Sequence, residues 1–205
     1  MKYVDFVRTT FGSPDFPVFT LRDLRIALSD RGISDGYLRL LAHELLRRNE
    51  ITRITRGVYT FHDEAFVSGF AFKPFYYGLG CALSIRGLST QMTNPIVVTT
   101  RDVRVGVRRF QGRNYVIRRM DGRYFFGYDL VRYGKFWVPV SDVEKTVIDM
   151  VYFGYGIGDE LLEDIRKSID MKRLGVYLKR YDKGVGSRVM AELGGERAWN
   201  GIKKR

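Results

Sequence analysis

The chain has 205 residues, of which 45% are hydrophobic and 28% charged; 35 Lys and Arg stand against 23 Asp and Glu, a formal charge of +12. That composition can bury the core of one large domain or two small ones, and it excludes a disordered tail. A single cysteine, Cys81, excludes an internal disulfide, and with two histidines it gives fewer soft ligands than a structural zinc site takes. The opening MKYVDFVRTT has neither a signal-peptide core nor a bilayer-spanning run, so a cytoplasmic protein with no membrane, metal or cofactor is expected.

The charge is uneven: residues 1–65 carry a net +1, residues 66–150 +7 and residues 151–205 +4. The densest stretch holds Arg101, Arg104, Arg108, Arg109, Arg113, Arg118, Arg119 and Arg123 against only Asp102 and Asp121. Guanidinium forks match phosphate and carboxylate, so the cluster points to a polyanionic partner. A solvated strand face and an ion-pair-rich surface are the competing readings.

Along the chain, Lys2 to Thr10 reads as a short helix, broken by Gly12, Pro14 and Pro17. Thr20 caps a helix with Asp23 three residues on, and Leu21, Leu24, Ala27 and Leu28 recur at helical spacing until Gly32. Ser34 or Asp35 caps the next helix, whose Leu38, Leu41, Ala42, Leu45 and Leu46 form one apolar stripe through about Asn49. Ile51–Thr55 and Val58–Phe61 then flank Arg56-Gly57 as a hairpin. This order predicts a winged helix-turn-helix over residues 1–65. A helix of this size fits the major groove of double-stranded DNA while the wing reaches phosphate or minor groove. The candidate DNA contacts are Ser34, Tyr37, Arg39, Leu40, His43 and Arg47 on the second helix, and Arg53 and Arg56 on the wing.

Residues 66–205 read as a mixed α+β unit. A helix is expected over 75–87, ending at Gly87, and a small, mostly antiparallel sheet over 96–139. Its predicted strands are Ile96–Thr100, Val103–Phe110, Asn114–Met120, Tyr124–Tyr128 and Phe136–Pro139. Arg104, Arg108 and Arg118 alternate with Val105, Val107 and Val116, which predicts one packed and one positive face; these arginines and Arg109 complete the candidate DNA contacts. Ser141 with Glu144 reads as a capping box opening the first of the helices over 142–205. Asp159–Leu178 follows as one or two helices and Ser187–Leu193 as a short one. Trp199 is expected to pack, and Lys203-Lys204-Arg205 to form a mobile basic end.

Asp129, Asp142, Glu144 and Lys145 invite comparison with a metal-dependent nuclease. However, Glu144 and Lys145 are adjacent on a helix and point in different directions. Cys81 has no nearby histidine to activate it, and Gly78-x-Gly80 lacks a third glycine, so neither thiol chemistry nor dinucleotide binding is expected.

The stretch Glu50-Ile51-Thr52-Arg53-Ile54-Thr55-Arg56-Gly57-Val58-Tyr59 resembles the wing of AbiEi-type antitoxins, the repressor half of AbiE abortive-infection toxin–antitoxin systems. Tyr76 to Gln91 is similar to that family's Ser-Ala-Leu-x-x-His-Gly-Leu-Thr helix, with Cys81 and Arg86 in place of the usual Ser and His. Val140 to Asp149 resembles its Glu-Lys-Thr-x-x-Asp segment. The resemblance covers about residues 1 to 155. It implies a non-enzymatic transcriptional repressor that binds its own promoter, acts as the antitoxin of a type IV-like phage-defence system, and counters a nucleotidyltransferase-type toxin. Read without the family, the arginine-rich sheet also suits a module that docks an acidic protein.

Overall fold

The computed structural model describes residues 2–91 and 93–195; Trp199 and Lys203-Lys204-Arg205 lie outside them. Helices α1 (Val4–Phe11), α2 (Leu21–Ala27) and α3 (Asp35–Arg47) pack with a small sheet of β1 (Phe19–Thr20), β2 (Thr52–Thr55) and β3 (Val58–Thr60), ordered β1-β3-β2. α2 starts in a reciprocal cap: the Thr20 hydroxyl accepts from the Asp23 N–H, and the Asp23 carboxylate accepts from the Thr20 N–H at 2.7 Å. After α2 a 3-10 turn over Ser29–Arg31 leads to Gly32 at φ +61°, where a side chain would be strained. Ser34 caps α3 by accepting from the Tyr37 N–H at 3.3 Å. The stripe Leu38, Leu41, Ala42 and Leu45 is buried against Val4, Val7, Phe11, Phe19, Leu24 and Leu28. Each leucine so buried contributes about 1.5–3 kcal/mol, which fixes the face α3 leaves to solvent.

The rest is a six-stranded sheet with helices on one face and an aromatic segment on the other. Its strands are β4 (Phe75–Tyr77), β5 (Ile96–Thr99), β6 (Gly106–Phe110), β7 (Arg113–Arg119), β8 (Tyr128–Tyr133) and β9 (Phe136–Ser141), ordered β6-β7-β5-β4-β9-β8. The β4–β5, β6–β7 and β8–β9 pairs are antiparallel; β4–β9 and β5–β7 are parallel. α4 (Leu79–Ile85), α5 (Val143–Tyr152), α6 (Asp159–Ser168), α7 (Met171–Leu178) and α8 (Lys183–Glu192) complete the described chain. Tyr76, Val98, Val147, Ile148, Ile165, Leu174 and Val189 form the core between sheet and helices. On the opposite face, the 3-10 segment Ala65–Phe72 covers Phe75, Tyr77, Val97, Ile117 and Val138.

Several elements differ from the sequence reading. Residues 75–77 are a central strand, not the start of a helix: Tyr76 faces one core while Phe75 and Tyr77 face the other, the two-residue alternation of a strand buried on both sides. Tyr124 lies in a 3-10 turn over Gly122–Tyr124, and Phe125 and Phe126 follow in a loop; the rings pack across to the helices, Tyr124 stacking on Tyr181 at 4.3 Å and Phe126 meeting Tyr177 at 5.0 Å. The cap of α5 is Asp142, whose side chain accepts from the Lys145 N–H at 2.7 Å. The Ser141 hydroxyl is taken by Thr146 at 2.6 Å, and Glu144 accepts from the Asp170 N–H at 2.6 Å.

The wing is joined to the larger sheet rather than standing free. One face of the small sheet, with Phe19 and Tyr59, packs on the three helices. The other gives Ile54, Val18 and Val58 to the core around Phe70, Phe72 and Phe136. Two hairpin turns of the large sheet also touch the winged unit. Gln111 donates to the Thr52 hydroxyl at 2.7 Å, and Lys135 pairs with Glu64 at 2.8 Å beside an edge-on contact of His62 and Phe136 at 5.0 Å.

Candidate nucleic-acid interface

Opposite its buried stripe, α3 exposes Arg39, Leu40, His43 and Arg47, with Tyr37 half-buried at the edge. Leu40 is 53% exposed, which is unusual for a large apolar side chain on a helix that buries its other leucines. Arg39 enters no ion pair among the described residues. Arg47 is held differently: its guanidinium donates to both oxygens of Glu44, at 2.9 and 2.6 Å, and Arg48 donates to the same carboxylate at 2.8 Å. These bonds hold the Glu44 carboxyl down at about 2. Ser34 is committed to capping, so its hydroxyl turns toward α3 itself. At the N-terminal end of α3, Asp35 receives Arg25 of α2 at 2.6 Å, a surface ion pair between the two helices. Arg53 and Arg56 are exposed, Arg56 beside Gly57 at φ +77° in the wing turn.

The four sheet arginines do not share one face. In the β6–β7 register Val107 lies opposite Val116 and Arg108 opposite Tyr115, so Arg108 and Arg118 project from opposite sides of the sheet. Val107, at 68% exposed, and Val105, at 52%, are the outward groups. Arg108 instead lies over the Phe72 ring at 5.2 Å and donates to the Arg104 carbonyl at 2.8 Å. The expected packed and positive faces are thus corrected. β6 is an edge strand, and the helices do not cover its Val107. Arg118 hydrogen-bonds the Tyr155 hydroxyl, leaving Arg104 and Arg109 exposed and without ion pairs among the described residues. The hairpin between β6 and β7 turns at Gln111 (φ +48°) and Gly112 (φ +75°), the pair of positive angles a two-residue turn demands. Its Gln111–Thr52 bond sets Arg109 and Arg113 near the base of the wing.

The four groups of the nuclease comparison diverge. Asp129 pairs with Arg86, Asp142 caps α5 and accepts from Tyr177 at 2.7 Å, Glu144 holds the Asp170 N–H, and Lys145 turns inward. Among the described residues no three His, Cys, Asp or Glu side chains gather as metal ligands. Lys145 pairs with Asp149 one turn on, and Tyr76 donates to the same carboxylate at 2.7 Å; all three are fully buried. Burial lowers the Lys145 amine and raises the Asp149 carboxyl, each effect opposed by the partner charge. An acid four residues after a lysine in an otherwise apolar helix was the available signal for this pair. Cys81 is likewise buried, bonded to the Gly78 carbonyl at 3.2 Å, and its thiol is pushed up to about 12.

The geometry defines a winged helix-turn-helix protein with an α+β body, in which the polar face of α3 and Arg53 and Arg56 of the wing are exposed. Residues 15–62, spanning α2, α3 and the wing, match the model of the family described as a transcriptional regulator, AbiEi antitoxin. This supports an antitoxin-regulator role and agrees with the resemblance seen in the wing. Comparison with curated proteins gives no match. Among solved structures, the RV2827C protein from Mycobacterium tuberculosis is similar over 100% of this chain and 80% of its own, with a TM-score of 0.64 at 14% identity, a likeness of fold.

Proposed function

We propose that the chain is a non-enzymatic, DNA-binding repressor that acts on its own promoter as the antitoxin of a two-gene system whose toxin is of nucleotidyltransferase type. The observation that carries the reading is the exposed face of α3, Arg39, Leu40 and His43, within the segment that matches the AbiEi regulator family. Arg39 would read a guanine edge and Leu40 a thymine methyl. Tyr37 and Arg47 flank them, Ser34 orders the first turn, and Arg53 and Arg56 meet phosphate. Arg104 and Arg109 add sequence-independent attraction beside the wing.

The test is a titration of the full chain on the DNA upstream of its reading frame and on scrambled DNA of equal length, over a salt series. Preference for the upstream DNA with a steep salt slope is expected. Equal affinity for both overturns the operator reading, and a flat slope overturns phosphate binding. Co-expression with a nucleotidyltransferase encoded alongside tests the antitoxin half, with restored growth as the expected result.

A further inference from the structure

The two edges of the six-stranded sheet are built differently. β6 carries Arg108 and Arg109, with Arg104 two residues before it, so two copies meeting along this edge would oppose like charges. β8 has one acid and one base, Asp129 and Arg132, and contains no proline or glycine; its register with β9 runs without a bulge. Five of its six residues are exposed, Val131 being half-buried. On the helix-side face of this edge Leu130 is 65% exposed, and Trp137, opposite Arg132 on β9, is 59% exposed. The apolar strip therefore lies on an open strand, where soluble proteins ordinarily place lysine, proline or a bulge.

Register shows which backbone groups are open. Leu130 lies opposite Pro139, which has no N–H to give, so this is a non-hydrogen-bonded pair and the N–H and C=O of Leu130 point away from β9. By the alternation of an antiparallel ladder, Tyr128 and Arg132 do the same. These three residues also share one side-chain face.

We propose that β8 pairs antiparallel with β8 of a second copy of this chain, Leu130 against Leu130, continuing the sheet across a two-fold axis. This register brings all three outward residues of each copy into hydrogen-bonded pairs. Shifting it by two residues leaves one of them unpaired in each copy. It sets Tyr128 of one copy against Arg132 of the other, an aromatic ring beside a guanidinium that has no ion pair among the described residues, and it opposes no like charges. Leu130 meets its own counterpart, with Trp137 flanking on each side. The interface is isologous and closes at two copies.

The test is sedimentation velocity of the full chain from low to high micromolar concentration, with Leu130→Lys as the comparison. Its exposed side chain lets the variant keep the wild-type circular dichroism. A dimer that grows with concentration is expected, weakened about tenfold or more in Leu130→Lys, where two lysines oppose each other. Register is tested by oxidising Leu130→Cys and Arg132→Cys separately. Paired residues across this ladder fall within disulfide reach, so Leu130→Cys should cross-link to itself and Arg132→Cys should not, while Cys81 is buried. A chain that stays monomeric throughout, a dimer unaffected by Leu130→Lys, or preferential cross-linking through Arg132→Cys overturns the proposal.

Discussion

Gln111, at the tip of the β6–β7 hairpin, donates its side-chain amide hydrogen to the Thr52 hydroxyl at the base of the wing. Gln111 is also the residue that takes the strained left-handed angle of that turn, so one residue both turns the hairpin through its backbone and anchors it through its side chain. The arginine-bearing hairpin is thereby tied to the winged unit by the fold, and a duplex bound on α3 would find Arg109 at a fixed offset.

Arg109→Ala should lower the slope of log affinity against log salt by about 0.9 on operator and random DNA alike. Arg118→Ala should leave the slope unchanged, because its half-buried guanidinium is packed on Tyr155 at the end of β7 remote from the hairpin turn. Affinity titrations at several salt concentrations separate the two, and equal slopes for Arg109→Ala and wild type would give the exposed arginines a different role.

On α3, Arg39→Ala should cost about 1–3 kcal/mol on the operator and much less on random DNA. Arg56→Ala on the wing should weaken both equally. The check is competition binding with single base-pair substitutions across the site; a change in base preference caused by Arg56→Ala would reverse the assignment.

The buried pair makes a stability prediction. Lys145→Met leaves the Asp149 carboxylate buried without its counter-charge and should destabilise the chain by about 3–5 kcal/mol, whereas the double substitution Lys145→Met with Asp149→Leu should recover most of that. Tyr76→Phe removes the hydrogen bond given to the same carboxylate and the one accepted from Lys145 at 3.1 Å, at a cost of about 1.5–3 kcal/mol or more. Urea midpoints of wild type, Lys145→Met, Asp149→Leu and the double substitution close the cycle that measures the coupling, with Tyr76→Phe read separately.

At the end of α3, the Glu44 carboxyl is held near 2, below its ordinary value of 4.5, first by its hydrogen bond from Arg47 and then by that from Arg48. A depressed carboxyl contributes stability that is fully present above 4.5 and is lost as pH falls toward 2. The gap in urea midpoint between wild type and Glu44→Gln should therefore be constant above pH 4.5 and close as the pH approaches 2.

Helix α3 was legible because three local signals agree: Ser34 at the cap, leucines at helical spacing, and Gly32 before the turn. Where signals competed, the tertiary partner decided. Phe75-Tyr76-Tyr77 before Gly78 looks like a helix entry, and only the two cores on either side make it a strand. Ser141 satisfies the spacing of a capping box, yet its hydroxyl is spent on Thr146, and Asp142 caps instead. The arginine alternation failed for a geometric reason: a shift of one residue in strand phase exchanges the two faces, and sequence does not reveal which edge strand the helices leave uncovered. The contact of Gln111 with Thr52, residues far apart in sequence, has no local signature at all.

Ile54, on the rear of the wing, belongs to the same apolar cluster as Phe70, Phe72 and Phe136. Melting the large sheet would therefore strip the wing of its backing, and melting the winged unit would bare that cluster to water. The two parts should unfold together, and a calorimetric scan of the full chain should show one endotherm whose van't Hoff and calorimetric enthalpies agree. A substitution deep in the sheet would then reach α3 as a change in the fraction of chains folded, with no displacement of the helix itself.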